Sequence, residues 1–240
     1  MIDPFKAYKR GLIPGPKETE EEFLKRVEAC KVHSNLSSRT QEVFGFSIDW
    51  VPVTVSNKNL FPWEGAAIWI MSDAPPQIQL REHFFKTKLF QKDMDEFLAH
   101  EAVHAARMMF EEPQFEEILA YQTSKNRFRK FWGPLFRSSK ESLLLVSVLA
   151  ATLACGWFLP WQIYLLPMSV LVFFCVRLVR SQRIFDKCLK KTSLPFMLCL
   201  SDEEIRLFSQ FSEEEIKAYV DGQASLRKIF FNLFSAERKE

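Results

Sequence analysis

Apolar positions in the first part of the chain change from helical to alternating spacing near Val43. Before that point, Thr19 and Glu22 form a capping-box pattern ahead of apolar residues at helical spacing, which predicts an amphipathic helix ending near Val32. From Val43 to Trp50, large apolar residues alternate with smaller or polar ones, as they do in a half-buried strand. The pattern therefore predicts a helix followed by β structure.

Three short β-prone segments follow Pro52, a residue that cannot donate a hydrogen bond to a strand ladder. They are residues 53–55, 66–71 and 77–81, and turn-forming residues separate the second from the third. We expect these segments to form a small sheet directly before the next long helix.

That helix carries a His-Glu-x-x-His motif, formed by His100, Glu101 and His104 among small apolar residues. Two histidines four residues apart project from the same face of a helix, so both imidazoles can reach one tetrahedral ion. Glu101 would face a water molecule on that ion and pass its proton to a leaving amine. Because unpaired histidines and a glutamate are costly in a buried helix, the motif predicts a zinc site.

A catalytic zinc site needs a third protein ligand, and the following helix offers two carboxylates. Pro113 suits the first turn of that helix. Its core-facing positions are Phe115, Ile118, Leu119 and Gln122. This pattern leaves Glu116 and Glu117 directed away from the core, and both stay open as ligands. Glu111 and Glu112 are weaker candidates because they would share one rigid helix with the histidines.

His100, Glu101 and His104, together with the Glu-Ile-Leu-Ala segment that begins at Glu117, resemble the gluzincin group of zincin metallopeptidases. In that group the third ligand is a glutamate in a Glu-x-x-Ala or Glu-x-x-Ser pattern on a following helix. The resemblance therefore implies Zn²⁺ as the cofactor, Glu117 as the third ligand, and peptides or proteins as substrates.

The same resemblance implies an edge strand that binds an extended substrate by backbone pairing. Residues 77–81 are our candidate for that edge. His83, close to its end, fits a surface histidine better than a ligand, because sites of this kind need only one further protein ligand.

The net charge of the chain gives little information about its binding partners. The chain of 240 residues carries a formal charge of +2, which does not favour nucleic-acid binding. Basic and aromatic residues are mixed between residues 125 and 140, where a long apolar run begins directly afterwards. This mixture is typical of a membrane interface.

Residues 143–176 contain no charged side chain and are too many for one membrane crossing. Gly156 and Pro160 interrupt the run, and two helices of about 17 residues would each cover roughly 26 Å of a hydrocarbon core about 30 Å thick. The turn holds aromatic residues typical of an interface, Trp157, Trp161 and Tyr164. Lysine and arginine flank both outer ends but not the turn, so both termini and the metal site are expected in the cytoplasm.

The chain is therefore expected to be α+β and mainly helical. A zincin-like cytoplasmic domain (residues 1–135) would precede a transmembrane helical hairpin (142–177) and a cytoplasmic helical C-terminal region (178–240). In the last region, capping boxes at Ser201 and Ser212 predict two short helices.

The expected function is a zinc metallopeptidase anchored in the cytoplasmic membrane. The alternative is a membrane-anchored binding or scaffold protein in which a zincin-like fold holds a structural or vestigial metal. A fourth coordination position open beside Glu101 would favour the enzyme, and a site closed by a fourth side chain would favour the scaffold.

Overall fold

A computed structural model describes most of the chain, namely residues 3–33, 38–61, 64–70, 76–82, 94–156, 158, 160–223 and 225–235. Within these residues the protein is mainly helical with one small sheet, as predicted. His83 and Trp157, for which the sequence led to predictions, lie outside the described residues.

The first helices are α1 (Pro4–Lys9), α2 (Glu20–Ala29) and α3 (Ser38–Phe44). The capping box of α2 is confirmed, because the Thr19 side chain accepts from the Glu22 N–H and Glu22 accepts from the Thr19 N–H. This helix ends at Ala29, three residues before the predicted end.

The strand predicted from Val43 is wrong. Val43 lies within α3, and residues 45–52 run outside the sheet. Alternate side chains of this segment are nevertheless buried: Phe44, Phe46, Ile48 and Trp50. One-sided burial produces the same alternation in sequence whether or not a neighbouring strand completes a ladder, and here the Ser47 N–H bonds instead to the Lys9 carbonyl at 2.9 Å.

Three strands form the sheet in the described part of the chain: β1 (Val53–Val55), β2 (Ala66–Trp69) and β3 (Gln77–Leu80). Their order is β1-β3-β2, with β1 parallel and β2 antiparallel to β3. The prediction that residues 77–81 form the edge is therefore wrong. Ile78 and Leu80 of β3 are buried, which suits a central strand, and β2 is an outer strand instead.

The next helices are α4 (Met94–Ala106), α5 (Pro113–Tyr121) and α6 (Arg127–Trp132). Helix α5 begins at Pro113 as predicted, and its residues Phe115, Ile118 and Leu119 are buried. Helix α4 ends before the tight turn at residues 107–110. The chain then reverses, so α5 packs against α4.

Two long helices follow, α7 (Ser139–Cys155) and α8 (Leu165–Leu189), and they pack against each other. Arg177 of α8 forms an ion pair with Glu141 of α7 at 2.5 Å. By length and composition, one helical segment in the described part of the chain, Trp161–Leu189, could cross a membrane. Helix α7 qualifies only together with the preceding segment Arg127–Leu135, from which it is bent by 75°, so the expected two-helix hairpin is not confirmed. Helix α8 runs without a break through the expected domain boundary at residue 177, and its later part packs on the C-terminal region.

The last helices are α9 (Leu194–Leu198), α10 (Asp202–Gln210), α11 (Glu213–Asp221) and α12 (Ser225–Ser235). Both predicted capping boxes are confirmed at the starts of α10 and α11. Helix α12 returns to the N-terminus, where Phe234 contacts Tyr8 with ring centroids 4.7 Å apart. The two ends of the chain therefore share one hydrophobic core.

Candidate metal centre

Helix α4 presents both histidines of the motif on the side that faces α5. Ala99, Ala102 and Val103 are fully buried against the core, and these small side chains let α4 lie close to β2 and α3. His100 and His104 are half-buried instead. Four-residue spacing stacks them on one face, with ring centroids 4.9 Å apart.

Glu117 of α5 completes a triangle of ligand atoms with the two histidines. The Nε2 atoms of His100 and His104 are 3.2 Å apart. The Nε2 atom of His100 lies 3.5 Å from Oε2 of Glu117, and that of His104 lies 3.5 Å from Oε1 of the same carboxylate. Zinc–ligand bonds of about 2.0–2.2 Å at tetrahedral angles place neighbouring ligand atoms about 3.4 Å apart. The observed separations are similar to this value, so the three side chains could hold one ion, and imidazole with carboxylate suits Zn²⁺.

Glu116, the alternative ligand, occupies a different position. Its Oε1 lies 2.6 Å from Nδ1 of His104, on the side of the ring away from the triangle. A carboxylate at Nδ1 holds the proton there and directs the free Nε2 lone pair toward the metal position. The structure thus separates the two glutamates, with Glu117 facing both Nε2 atoms and Glu116 orienting one histidine.

The other two acidic alternatives, Glu111 and Glu112, precede α5 and line the same cavity. Glu112 accepts a hydrogen bond from the Asp202 N–H at 2.5 Å. Among the described residues, the group that could hold an ion contains neither of them.

Glu101 lies beside the triangle and is only 7% exposed. Burial raises the pKa of its carboxyl group to about 7, although positive charge on His104 opposes the rise. A hydrogen bond from the Ile68 backbone of β2 also stabilises the carboxylate. A carboxyl group with a pKa near neutrality can both accept and release a proton, as general acid–base chemistry requires.

Charge in this cluster is unevenly distributed between the two histidines. Burial lowers the pKa of His100 well below its ordinary value of 6.5, and the neighbouring His104 adds to this effect. Burial also opposes charge on His104, but the carboxylates of Glu117 and Glu116 outweigh it and raise its pKa to about 10. These opposite shifts favour positive charge on His104 over His100.

Tyr121, to which the sequence analysis assigns no role, also contacts the site. Its ring meets that of His100 edge to face, with centroids 4.6 Å apart, and burial raises the pKa of its hydroxyl to about 12. Gly133 leaves room for this ring, because a Cβ atom there would overlap it. The sequence feature that could have identified Tyr121 is its spacing, because it follows Glu117 by one helical turn.

The cluster opens into a cavity of about 700 Å³. Its lining includes residues of β2 with the preceding Glu64, and residues of α4 and α5. The lining also includes residues at and before the start of α7, namely Phe136, Arg137, Ser138, Ser139 and Ser142. Arg129 also lines the cavity and pairs with Glu96 of α4 at 2.9 Å.

Comparison with models of known families, with curated proteins and with solved structures finds no match to this chain. A fold alone would in any case leave the activity open, since function depends on the geometry and chemistry of a site. The assignment therefore rests on His100, Glu101, His104 and Glu117 and on the cavity around them.

Proposed function

We propose that this protein is a membrane-anchored zinc metallopeptidase. The observation that carries the proposal is the cluster of His100, His104 and Glu117, whose possible ligand atoms all lie within 4.8 Å of one another. In the part of the chain that the structure describes, no fourth acidic, histidine or cysteine side chain completes this group. One position is therefore available to water and substrate, as catalytic rather than structural zinc sites require.

Zinc at this position would supply Lewis acidity for polarising a carbonyl and activating water. Glu101 takes up the proton that water loses as its oxygen bonds to the carbonyl carbon. The same carboxyl group then gives a proton to the departing nitrogen as the C–N bond breaks. One water molecule is thus consumed, and the products are a carboxylic acid and an amine.

Strand β2 is our proposed binding element for the substrate backbone. In the described residues it pairs with β3 alone, so its other edge can accept an extended peptide by main-chain hydrogen bonding. Ala66, Ala67 and Ile68 line the cavity beside the metal cluster. An edge here would place a substrate carbonyl next to Glu101, which already accepts a hydrogen bond from Ile68.

Helices α7 and α8 form the proposed two-helix anchor in the lipid bilayer. Their apolar side chains are largely exposed, although such residues are normally buried in a protein core. Basic residues lie at the outer ends of the pair and not at the turn, which favours both termini and the metal site on the cytoplasmic face.

The first test is metal content, measured by elemental mass spectrometry on detergent-purified protein that has not been exposed to a chelator. Near-stoichiometric zinc is expected in the wild type, with loss in His104→Ala and in Glu117→Gln. A peptide library then tests hydrolysis, with Glu101→Gln as the matched variant that retains zinc and lacks cleavage.

Folded wild-type protein without zinc at neutral pH would overturn the proposal. Stoichiometric zinc without any cleavage beyond that of Glu101→Gln would also overturn it, and would favour the scaffold alternative.

A further inference from the structure

We propose that the substrates are juxtamembrane segments of membrane-anchored polypeptides, which enter the cavity at the base of the α7–α8 pair. This inference rests on the proposed peptidase function and specifies its substrate class. Its basis is the path that the cavity takes from the metal cluster to the apolar helices.

The cavity connects the metal cluster with the first turn of α7. His100, Glu101 and Glu117 line one part of it, and Ser138, Ser139 and Ser142 line another. These serines are small, so they leave space for an extended backbone, and their hydroxyl oxygens can accept hydrogen bonds from its N–H groups. A peptide could therefore lie in one continuous space from the start of α7 to the ligand triangle.

The exposed apolar surface of α7 begins directly after these serines. Leu143, Leu144 and Val146 are 39–53% exposed, and Leu143 follows the last cavity-lining serine in sequence. A bilayer covering this surface would reach to within one helical turn of the cavity lining. A polypeptide that leaves the bilayer beside α7 would thus meet the cavity before it meets bulk solvent.

Hydrogen bonds tie the start of α7 to the proposed substrate-binding strand. The Ser139 hydroxyl donates to Oε1 of Glu64, which stands two residues before β2. The Arg81 guanidinium, next to the end of β3, donates to the Glu64 carbonyl at 2.7 Å. The edge of β2 is therefore held beside the entrance from the membrane.

The test uses full-length wild-type protein in phosphatidylcholine vesicles. A sequence cleaved in the peptide library is joined to a transmembrane anchor through flexible spacers of about 5, 15 and 30 residues. We expect the shortest spacer to be cleaved at least about tenfold faster than the longest, because effective concentration at the entrance falls with linker length. Simple confinement to the same membrane would give equal or faster cleavage with longer spacers.

Two serine variants on α7 test the entrance itself. Ser142→Trp narrows the cavity and should slow cleavage of the short-spacer substrate at least about fivefold. The larger side chain would fill space that the peptide needs, and crowding of this kind is unfavourable. Ser147→Trp is the matched control, because Ser147 is exposed on the same helix and does not line the cavity. Zinc content near one per chain in both variants shows that neither has unfolded.

The outcomes separate this inference from the function on which it rests. Cleavage of the free peptide with no preference for short spacers, or equal rates for Ser142→Trp and Ser147→Trp, would overturn the inference and leave the peptidase intact. Absence of cleavage of free and anchored peptides alike, at the level of Glu101→Gln, would overturn both.

Discussion

At the scale of single residues, His104 contacts the other two candidate ligands with one ring nitrogen and Glu116 with the other. Its Nε2 faces His100 and Glu117, while its Nδ1 contacts Glu116 at 2.6 Å. In the proposed site the adjacent glutamates of α5 would therefore have different roles, Glu117 as a ligand and Glu116 as a hydrogen-bond acceptor that orients the ring.

We predict that Glu116→Gln lowers zinc affinity by about 10- to 100-fold, because the amide holds the Nδ1 proton less strongly than a carboxylate does. Glu117→Gln should weaken binding further, because it removes a ligand. Competition with a chromogenic chelator measures both affinities. The control is Glu213→Gln, on an exposed turn of α11. Equal losses in Glu116→Gln and Glu117→Gln would contradict the separation of roles.

At the scale of elements, α7 and α8 expose apolar faces that nothing in the described chain covers. Exposed residues near the middle of the two helices include Leu149 and Val172. Exposed apolar surface of this extent supports the proposed membrane anchor, because its contact with water is unfavourable.

Lysine at both positions should therefore weaken membrane retention. Each charge near the centre of a spanning helix disfavours insertion by about 2.5–3.5 kcal/mol. We expect Leu149→Lys combined with Val172→Lys to lower the membrane fraction after an alkaline carbonate wash. Phenylalanine at the same two positions is the control and should leave retention unchanged. Complete retention of the double lysine variant would argue against a spanning pair.

At the scale of the whole molecule, the C-terminal helices are part of the core that supports α4, the helix with the two histidines. Phe230 of α12 is fully buried and meets Phe23 of α2 edge to face at 5.7 Å. Arg107, directly after α4, is also fully buried and donates to the carbonyls of Leu198 and Leu200 at 2.8 Å. Hydrogen bonds thus connect the end of α4 to the C-terminal region.

Truncation of Phe230 should consequently destabilise the whole protein. We predict that Phe230→Ala lowers the free energy of unfolding by about 3–5 kcal/mol and that zinc release occurs in the same transition. The neighbouring Ile229 is 45% exposed, so Ile229→Ala should cost less than about 0.5 kcal/mol. Urea unfolding in detergent, followed by fluorescence and by zinc release, measures both. Zinc release well separated from unfolding would indicate that the C-terminal region is independent of the site.

Some features follow from short-range rules and were predictable from the chain alone. The capping boxes at Thr19, Ser201 and Ser212 form as predicted, because each needs only two side chains one turn apart. Helix α5 begins at Pro113 for a similar reason. The pairing of His100 with His104 on one face follows from helical geometry.

Other features depend on contacts between distant segments, and only the tertiary structure decided them. Residues 45–52 alternate as a strand would, yet no neighbour among the described residues forms a ladder with them. The expected edge at residues 77–81 is the central strand, because β1 and β2 pair with its two sides. The distinction between Glu116 and Glu117 required the orientation of α5 against α4. Local spacing determines which residues share a face, whereas only packing determines what that face meets.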